Sequence, residues 1–168
     1  MSEFTAKRIA RSYVQHFKAP PERVFPLLCP VREYEWIEPW KCEVLHSDTG
    51  FAEKNCIFRT RFPGEDSDET WVVSSYEPPR RIEFVRFNAL RVVCYSIVLA
   101  QHGDGSTSAT NEQVLTGLNP EGNRLLDTLT DGGFVTELRM GEAMLNHYLS
   151  TGMRLALSEA IARVRDSR

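Results

Sequence analysis

The chain has 168 residues, of which 42% are hydrophobic and 26% are charged, an ordinary composition for a globular protein. A chain of this length most often forms one domain, so residues 1–168 are expected to share a single core. The formal net charge of −3 and the lack of a basic block argue against nucleic acid as a partner.

The cellular context is predicted from the N-terminus, the hydropathy and the cysteines. We expect no signal peptide and no membrane span, because the chain has no apolar run of the required length. Cys29, Cys42, Cys56 and Cys94 form no C-x-x-C pair and have apolar neighbours. They are therefore expected to be small core residues of a cytoplasmic protein.

The chain begins with a predicted strand that is followed by two short helices. The strand, Arg8–Phe17, mixes β-formers with polar residues and stops at the pair Pro20 and Pro21. Pro21 suits the first turn of a helix, and Pro30 ends that helix. A second short helix is predicted over Val31–Ile37.

Residues 40–116 predict six further strands, which short turns join into an antiparallel sheet. Their expected bounds are Trp40–Ser47, Ala52–Phe62, Glu69–Glu77, Arg80–Phe87, Leu90–Gln101 and Ser106–Thr116. In the second of these, alternation places Phe58 and Thr60 on one face and Arg59 and Arg61 on the other.

The hydrophobic period then changes from strand to helix. Asn119 predicts a helix N-cap, a short helix is expected over 123–129, and a long helix over about 133–164. Gly141 and Gly152 fall on the apolar stripe of the long helix. Because glycine has no side chain, both are expected to let the sheet approach closely.

This order of elements resembles the helix-grip fold of the START-like superfamily, which includes the birch-pollen allergen, polyketide cyclases and steroid-binding lipid-transfer domains. The segments that carry the resemblance at the start of the chain are A-P-P-E-R-V-F-P-L-L and E-W-I-E-P-W. A bacterial subgroup with no assigned activity is similar in W-V-V-S-S-Y-E-P, T-G-L-N-P-E-G-N and M-L-N-H-Y-L-S-T-G. The resemblance covers nearly the whole chain. It implies an α+β fold in which a seven-stranded curved antiparallel sheet grips the C-terminal helix around a ligand cavity.

Three functions fit such a fold, and fold alone does not choose between them. The first is binding of a small hydrophobic molecule that is lipid-, polyketide- or aromatic-like. The second is a cyclase, dehydratase or hydrolase that acts on an aromatic or polyketide-like substrate, and the third is an interaction module like the co-chaperones of this fold. Binding is favoured, since the chain has no G-x-S-x-G, P-loop, G-x-G-x-x-G or H-E-x-x-H motif. No metal or cofactor is predicted, and a homodimer is left open.

Glu137, Arg91 and Tyr95 are the candidates for acid–base chemistry if the protein is an enzyme. Glu137 lies near the start of the long helix, where it is either a general base or a hydrated acid favoured by the helix dipole. Arg91 and Tyr95 share one face of strand 90–101, and an inward Arg91 could bind a carboxylate or phenolate. Both faces of that strand are mostly apolar, so alternation leaves open whether this face or that of Cys94 points inward.

The predicted ligand contacts are large side chains, which either fill the hydrophobic core or line the ligand cavity, and the sequence leaves both possibilities open. They are Trp36, Trp40, Phe58, Trp71, Phe84, Tyr95, Phe134, Met144 and Tyr148. His147 falls on the flank of the long helix, away from its apolar stripe, and is expected to be solvated. Strand 106–116 carries Asn111 and Gln113 on one face and Glu112 on the other, and alternation leaves open which face points inward. Either face would bring polar groups towards the helix, which indicates that the interior is partly polar.

Overall fold

The backbone of residues 3–65 and 67–167, described by a computed structural model, forms a curved antiparallel sheet that wraps around a helix. Within these residues the sheet has seven strands in the order β1-β7-β6-β5-β4-β3-β2. The strands are β1 Arg8–Phe17, β2 Cys42–His46, β3 Ile57–Thr60, β4 Glu69–Glu77, β5 Arg81–Phe87, β6 Arg91–Gln101 and β7 Thr107–Gly117. The predicted helix-grip fold is confirmed.

Burial along the strands decides which face of the sheet is concave. In β6, Arg91, Val93, Ile97 and Leu99 are buried and Cys94 is exposed, so the face that holds Arg91 points inward. In β7, alternate residues from Thr107 to Gly117 are buried, which turns Asn111 and Gln113 inward as well. Pairing of the first strand with the last, from Arg8 opposite Thr116 to Phe17 opposite Thr107, sets this register.

Two short turns of helix close one end of the sheet. Helix α1 spans Pro21–Val24 and continues directly as a 3₁₀ turn over Phe25–Leu28, and a second 3₁₀ turn spans Glu33–Glu35. Pro26 has no backbone N–H to donate, so a regular α-helical ladder does not extend through it. The second predicted helix, Val31–Ile37, is shorter than expected, because only the 3₁₀ turn Glu33–Glu35 forms there.

The C-terminal region contains three helices in place of the two that were predicted. They are α2 Pro120–Thr128, α3 Asp131–Thr151 and α4 Leu157–Asp166. The predicted N-cap of α2 is confirmed, since the Asn119 side chain accepts a hydrogen bond from the Gly122 N–H at 2.8 Å. Thr130 caps α3 in the same way through the Gly133 N–H.

The prediction of one continuous helix over 133–164 is wrong because the chain turns at Gly152. This residue has φ +70°, and its N–H donates to the Tyr148 carbonyl at 2.7 Å, which ends α3. Gly152 is exposed and does not pack against the sheet. Gly141 is the glycine that faces the sheet, and a Cβ built there would lie 3.5 Å from Nε2 of Gln15.

The cysteines are free thiols in different environments. Cys29 and Cys56 are buried and Cys42 is half-buried. Cys94 is exposed, so its assignment to the core was wrong, and the reason is its place on the outer face of β6. No helix among the described residues is both long and apolar enough to cross a membrane.

Candidate functional site

A cavity of about 610 Å³ lies between the first half of α3 and the sheet. Its size falls in the range of small-molecule sites, roughly 300–1,000 Å³. The side of α3 that borders it carries Phe134, Glu137, Met140, Gly141 and Met144. The sheet contributes arginines, and loops 37–40, 62–65 and 128–130 complete the lining. The cavity therefore has an apolar part and a charged part.

The apolar part is anchored by two aromatic rings. Trp40 and Phe62 lie with ring centroids 6.0 Å apart, and the Trp40 indole donates to the Pro30 carbonyl at 2.8 Å. A second depression, of about 890 Å³, lies against the same two rings and is otherwise lined by residues of β2, β3 and their flanking loops. Trp40 and Phe62 thus stand between the cavity and a groove on the surface.

The charged part is formed by three arginines of the sheet, Arg11, Arg86 and Arg91, which we call the arginine wall. Arg91 Nε donates to Glu69 Oε1 at 3.0 Å, and Arg91 Nη2 lies 3.4 Å from Glu65 Oε1. Arg86 Nη1 lies 3.1 Å from Glu69 Oε2. The Glu69 side chain is fully buried, so its charge is held between two guanidinium groups.

Burial and neighbouring charges shift the pKa values of the residues in and beside the arginine wall. Burial lowers the pKa of Arg86, and neighbouring Arg91 lowers it further while Glu69 opposes the effect. Burial also raises the pKa of Glu65, and the negative charge of Glu69 adds to that rise. These directions indicate that the charges of the wall lie close together and are partly removed from water.

Arg11 is fixed in place although it is only half-buried. Its Nε and Nη2 atoms donate to Gln113 Oε1 at 3.1 and 2.9 Å, and its guanidinium carbon lies 4.4 Å from the centroid of the Phe134 ring. Burial lowers the pKa of Arg11, whereas the charge of Glu137 raises it. Arg11 and Glu137, which both line the cavity, therefore attract each other electrostatically.

A buried chain of hydrogen bonds runs from the sheet to α3 beside the cavity. The Tyr95 hydroxyl donates to Asn111 Oδ1 at 2.6 Å, and Asn111 Nδ2 donates to Gln15 Oε1 at 3.0 Å. Gln15 Nε2 in turn donates to the Leu138 carbonyl at 2.7 Å. Burial raises the pKa of Tyr95, so its hydroxyl stays protonated. These hydrogen bonds help to hold α3 against β1, β7 and β6, in addition to the hydrophobic contacts.

Glu33, in the second 3₁₀ turn, is a titratable residue that the sequence did not single out. It is half-buried in accessible area, yet burial raises the pKa of its carboxyl to about 8. Burial raises the pKa of Tyr95, and the charge of Glu33 adds to that rise. The Glu33 carboxyl is therefore mostly protonated at pH 7, and Glu33 is not among the residues that line the cavity.

The structure brings together five of the eleven residues that the sequence proposed for ligand contact or chemistry. Trp40, Phe134 and Met144 line the cavity, and so do Arg91 and Glu137. Glu137 is exposed on the rim, in keeping with the hydrated alternative. Arg91 points inward, but its guanidinium already contacts two carboxylates.

The other six proposed residues lie away from the cavity lining. Phe58, Trp71 and Phe84 pack in the core, with Phe58 and Trp71 stacked at 5.3 Å and Phe84 at the edge of both rings. The remaining three are held by hydrogen bonds: Trp36 to the Leu27 carbonyl, Tyr95 to Asn111, and Tyr148 to Glu35. Contact of these residues with a ligand stays a prediction. His147 is half-buried and also lies outside the lining.

Arg11 and Arg86 are members of the lining that sequence reasoning missed, although alternation contained the signal. Arg86 shares the face of Phe84 in β5, and Arg11 shares the face of Phe17 in β1. Glu33 offers no such signal, because a single 3₁₀ turn has no period to read. Among the described residues, no group of three His, Cys, Asp or Glu side chains is arranged to hold a metal ion.

No protein-family model and no curated protein matches the chain. Solved structures do match. The Mll3558 protein from Rhizobium loti gives a TM-score of 0.60 at 14% identity, over 86% of this chain and 99% of that one. Norcoclaurine synthase from Thalictrum flavum, in complex with dopamine and hydroxybenzaldehyde, gives a TM-score of 0.61 at 13% identity, over 87% of this chain and 89% of that one. DynU16, from the dynemicin biosynthetic locus, gives a TM-score of 0.59 at 18% identity, over 86% of this chain and 48% of that one.

At these identities the likeness establishes the fold and nothing finer. The neighbours share the helix-grip arrangement of a curved sheet around a helix. One of them is an enzyme whose structure holds two small aromatic molecules.

Proposed function

We propose that this protein binds a small hydrophobic molecule, lipid-, polyketide- or aromatic-like, in the cavity between α3 and the sheet. The observation that carries the proposal is the cavity of about 610 Å³, bordered by Trp40, Phe62, Phe134 and Met144. Burying such a molecule against these side chains removes apolar area from water, at roughly 25 cal/mol per Å². The interaction-module alternative predicts a collapsed interior, which is not what the structure has.

The resemblance to the START-like superfamily supports the same proposal. We take residues 1–168 as one START-like ligand-binding domain, similar in its motifs to the bacterial subgroup named above. The likeness to norcoclaurine synthase is consistent with this, because that structure holds dopamine and hydroxybenzaldehyde. The four free thiols support a reducing, cytoplasmic location. A homodimer stays a prediction.

The test combines analysis of bound material with titration of a neutral probe. Native mass spectrometry of the freshly purified protein should reveal an extractable organic molecule, and N-phenyl-1-naphthylamine should bind saturably with a rise in its fluorescence. Met140→Trp, which fills the cavity, should weaken probe binding at least tenfold. The matched control Ser150→Trp adds the same ring at an exposed position of α3 and should bind as the wild type does. A wild-type protein that carries nothing and binds no probe would contradict the proposal.

A second candidate function is catalysis on an aromatic or polyketide-like substrate, and Glu65 is the observation that favours it. Glu65 lines the cavity, and burial raises the pKa of its carboxyl, which favours a protonated side chain that can act as a general acid. Incubation with aromatic amines and aldehydes, dopamine and hydroxybenzaldehyde among them, followed by mass spectrometry, tests this candidate. A product that forms with the wild type and not with Glu65→Gln would support it, and no product would count against it.

A further inference from the structure

The arginine wall carries an inference about the chemistry of the ligand, and this inference rests on the proposed function. We propose that the ligand is an amphipathic acid whose oxyanion, such as a carboxylate, is bound by Arg11 and Arg86. Its apolar body then lies against Trp40 and Met144. Arg91 is not the binding group, because its guanidinium is already held by Glu69 and Glu65.

The first step is the state of the Arg86 side chain. Only 11% of this side chain is exposed, and its Nε atom is buried without a hydrogen-bond partner among the described residues. Within residues 3–65 and 67–167 its one ion-pair contact is Glu69 Oε2, which Arg86 approaches without a well-formed hydrogen bond. Arg86 borders the cavity and, among the described residues, is held by fewer hydrogen bonds than Arg91, so an oxyanion in the cavity gives this guanidinium a charge-assisted contact that it otherwise lacks.

The second step is the balance of charge at the arginine wall. The wall has three guanidinium groups, and of the carboxylates that the structure describes, two, Glu65 and Glu69, lie within ion-pair distance of them. Arg11 has no ion-pair partner in the described part of the chain; its two bonds go to the neutral amide of Gln113. One positive charge is therefore not directly compensated.

Two other carboxylates border the cavity and bear on this balance. Glu38 Oε2 lies 3.9 Å from Arg154 Nε, so its charge is already paired. Glu137 stands exposed on the rim opposite Arg11 and opposes the positive charge of the wall. Removing the charge of Glu137 should therefore strengthen binding of an anion, whereas removing that of an arginine should weaken it.

The third step is preorganisation. The Arg11 guanidinium lies 4.4 Å from the Phe134 centroid, and that of Arg86 lies 4.8 Å from the centroid of Trp71. Stacking on a ring holds a guanidinium in one orientation, so little conformational entropy is lost when it binds an oxyanion. Phe134 belongs to the cavity lining, which places the charged site directly beside the apolar one.

The experiment compares two probes that share an aromatic body and differ in an acidic group. They are 1-anilinonaphthalene-8-sulfonate, an anion, and N-phenyl-1-naphthylamine, which is neutral. We expect the wild type to bind the anion about tenfold more tightly or better, since a hydrogen bond to a charged group is worth a factor of about ten to a hundred. The tested variants are Arg11→Met and Arg86→Met, and Arg8→Met on the exposed face of β1 is the matched control.

Arg11→Met and Arg86→Met should each lose most of the preference for the anion, whereas the control Arg8→Met should keep it. All three should keep their affinity for the neutral probe, which also reports that the protein is folded. Glu137→Gln should change the anion affinity in the opposite direction, by a few-fold. Equal binding of both probes by the wild type, or an unchanged preference in both Arg11→Met and Arg86→Met, overturns the inference and leaves the proposed function intact. Failure of both probes to bind the wild type overturns the two together.

Discussion

Replacing Asn111 by Leu should loosen the attachment of α3 to the sheet. The Asn111 side chain is fully buried and accepts one hydrogen bond, from Tyr95, while it donates to Gln15 and to the Ala109 carbonyl. Leu has a similar size but forms none of these bonds. The hydroxyl of Tyr95 and the amide oxygen of Gln15 then stay buried without their partner.

The cost follows from the number of groups left unsatisfied. Each buried polar group without a partner costs about 1–3 kcal/mol, and two such groups give about 2–6 kcal/mol. The added apolar burial of Leu offsets about 1 kcal/mol of this. We expect the free energy of unfolding to fall by about 1–5 kcal/mol, which for a chain of this size lowers Tm by roughly 2–20 °C.

Urea denaturation followed by tryptophan fluorescence measures the change, with Tyr95→Phe and the double variant completing a cycle. Tyr95→Phe alone should cost about 1–2 kcal/mol, and almost nothing once Asn111 is already Leu, because its partner is gone. Glu112→Leu, on the exposed face of the same strand, is the control and should change stability by no more than about 0.5 kcal/mol. Strictly additive costs, or an Asn111→Leu variant as stable as the wild type, would refute the hydrogen-bonded chain as the attachment.

Three more predictions concern stability and can be checked by the same urea denaturation. Glu69→Ala should cost about 3–5 kcal/mol because it leaves Arg86 buried without a counter-charge, and a cost below 1 kcal/mol would contradict the structure. Gly122→Ala should cost about 2–3 kcal/mol, since a Cβ would lie 1.9 Å from the Leu90 carbonyl oxygen; a neutral effect would mean that α2 sits elsewhere. The pKa of Glu33 is raised from 4.5 to about 8, so ionising this carboxyl opposes folding, and wild-type stability should fall between pH 4.5 and 8 by about 3–5 kcal/mol. Glu33→Gln should lack most of that decline, and an unchanged pH dependence would rule out the assignment.

The strands were predictable because their periodicity and turn residues are local signals. The bounds of β1 and β4 were predicted without error, and those of β5, β6 and β7 to within one residue at each end. The inward face of β6 was not predictable, since Val92 and Val98 make its outer face nearly as apolar as its inner one. The end of α3 was missed because a glycine on an apolar stripe has the same helix propensity whether it lies within the helix or ends it.

The candidate site was only partly predictable. An aromatic side chain that fills the core has the same sequence signature as one that lines a cavity, so Phe58, Trp71 and Phe84 could not be distinguished from Trp40 and Phe134. The difference depends on how the sheet curves and where α3 rests, which are properties of the whole fold. Inward arginines are visible in the alternation only after the direction of each strand face is known.

The central claim is that the space between α3 and the sheet is open to a ligand, and NMR of methionine methyl groups tests it most directly. Met140 and Met144 line the cavity, whereas Met153 lies outside it with 65% of its surface exposed. In protein labelled with ¹³C-methyl methionine, titration with N-phenyl-1-naphthylamine should shift the signals of Met140 and Met144 saturably and leave that of Met153 in place. Signals of Met140 and Met144 that do not move while the probe binds, or that move only together with Met153, would contradict the claim.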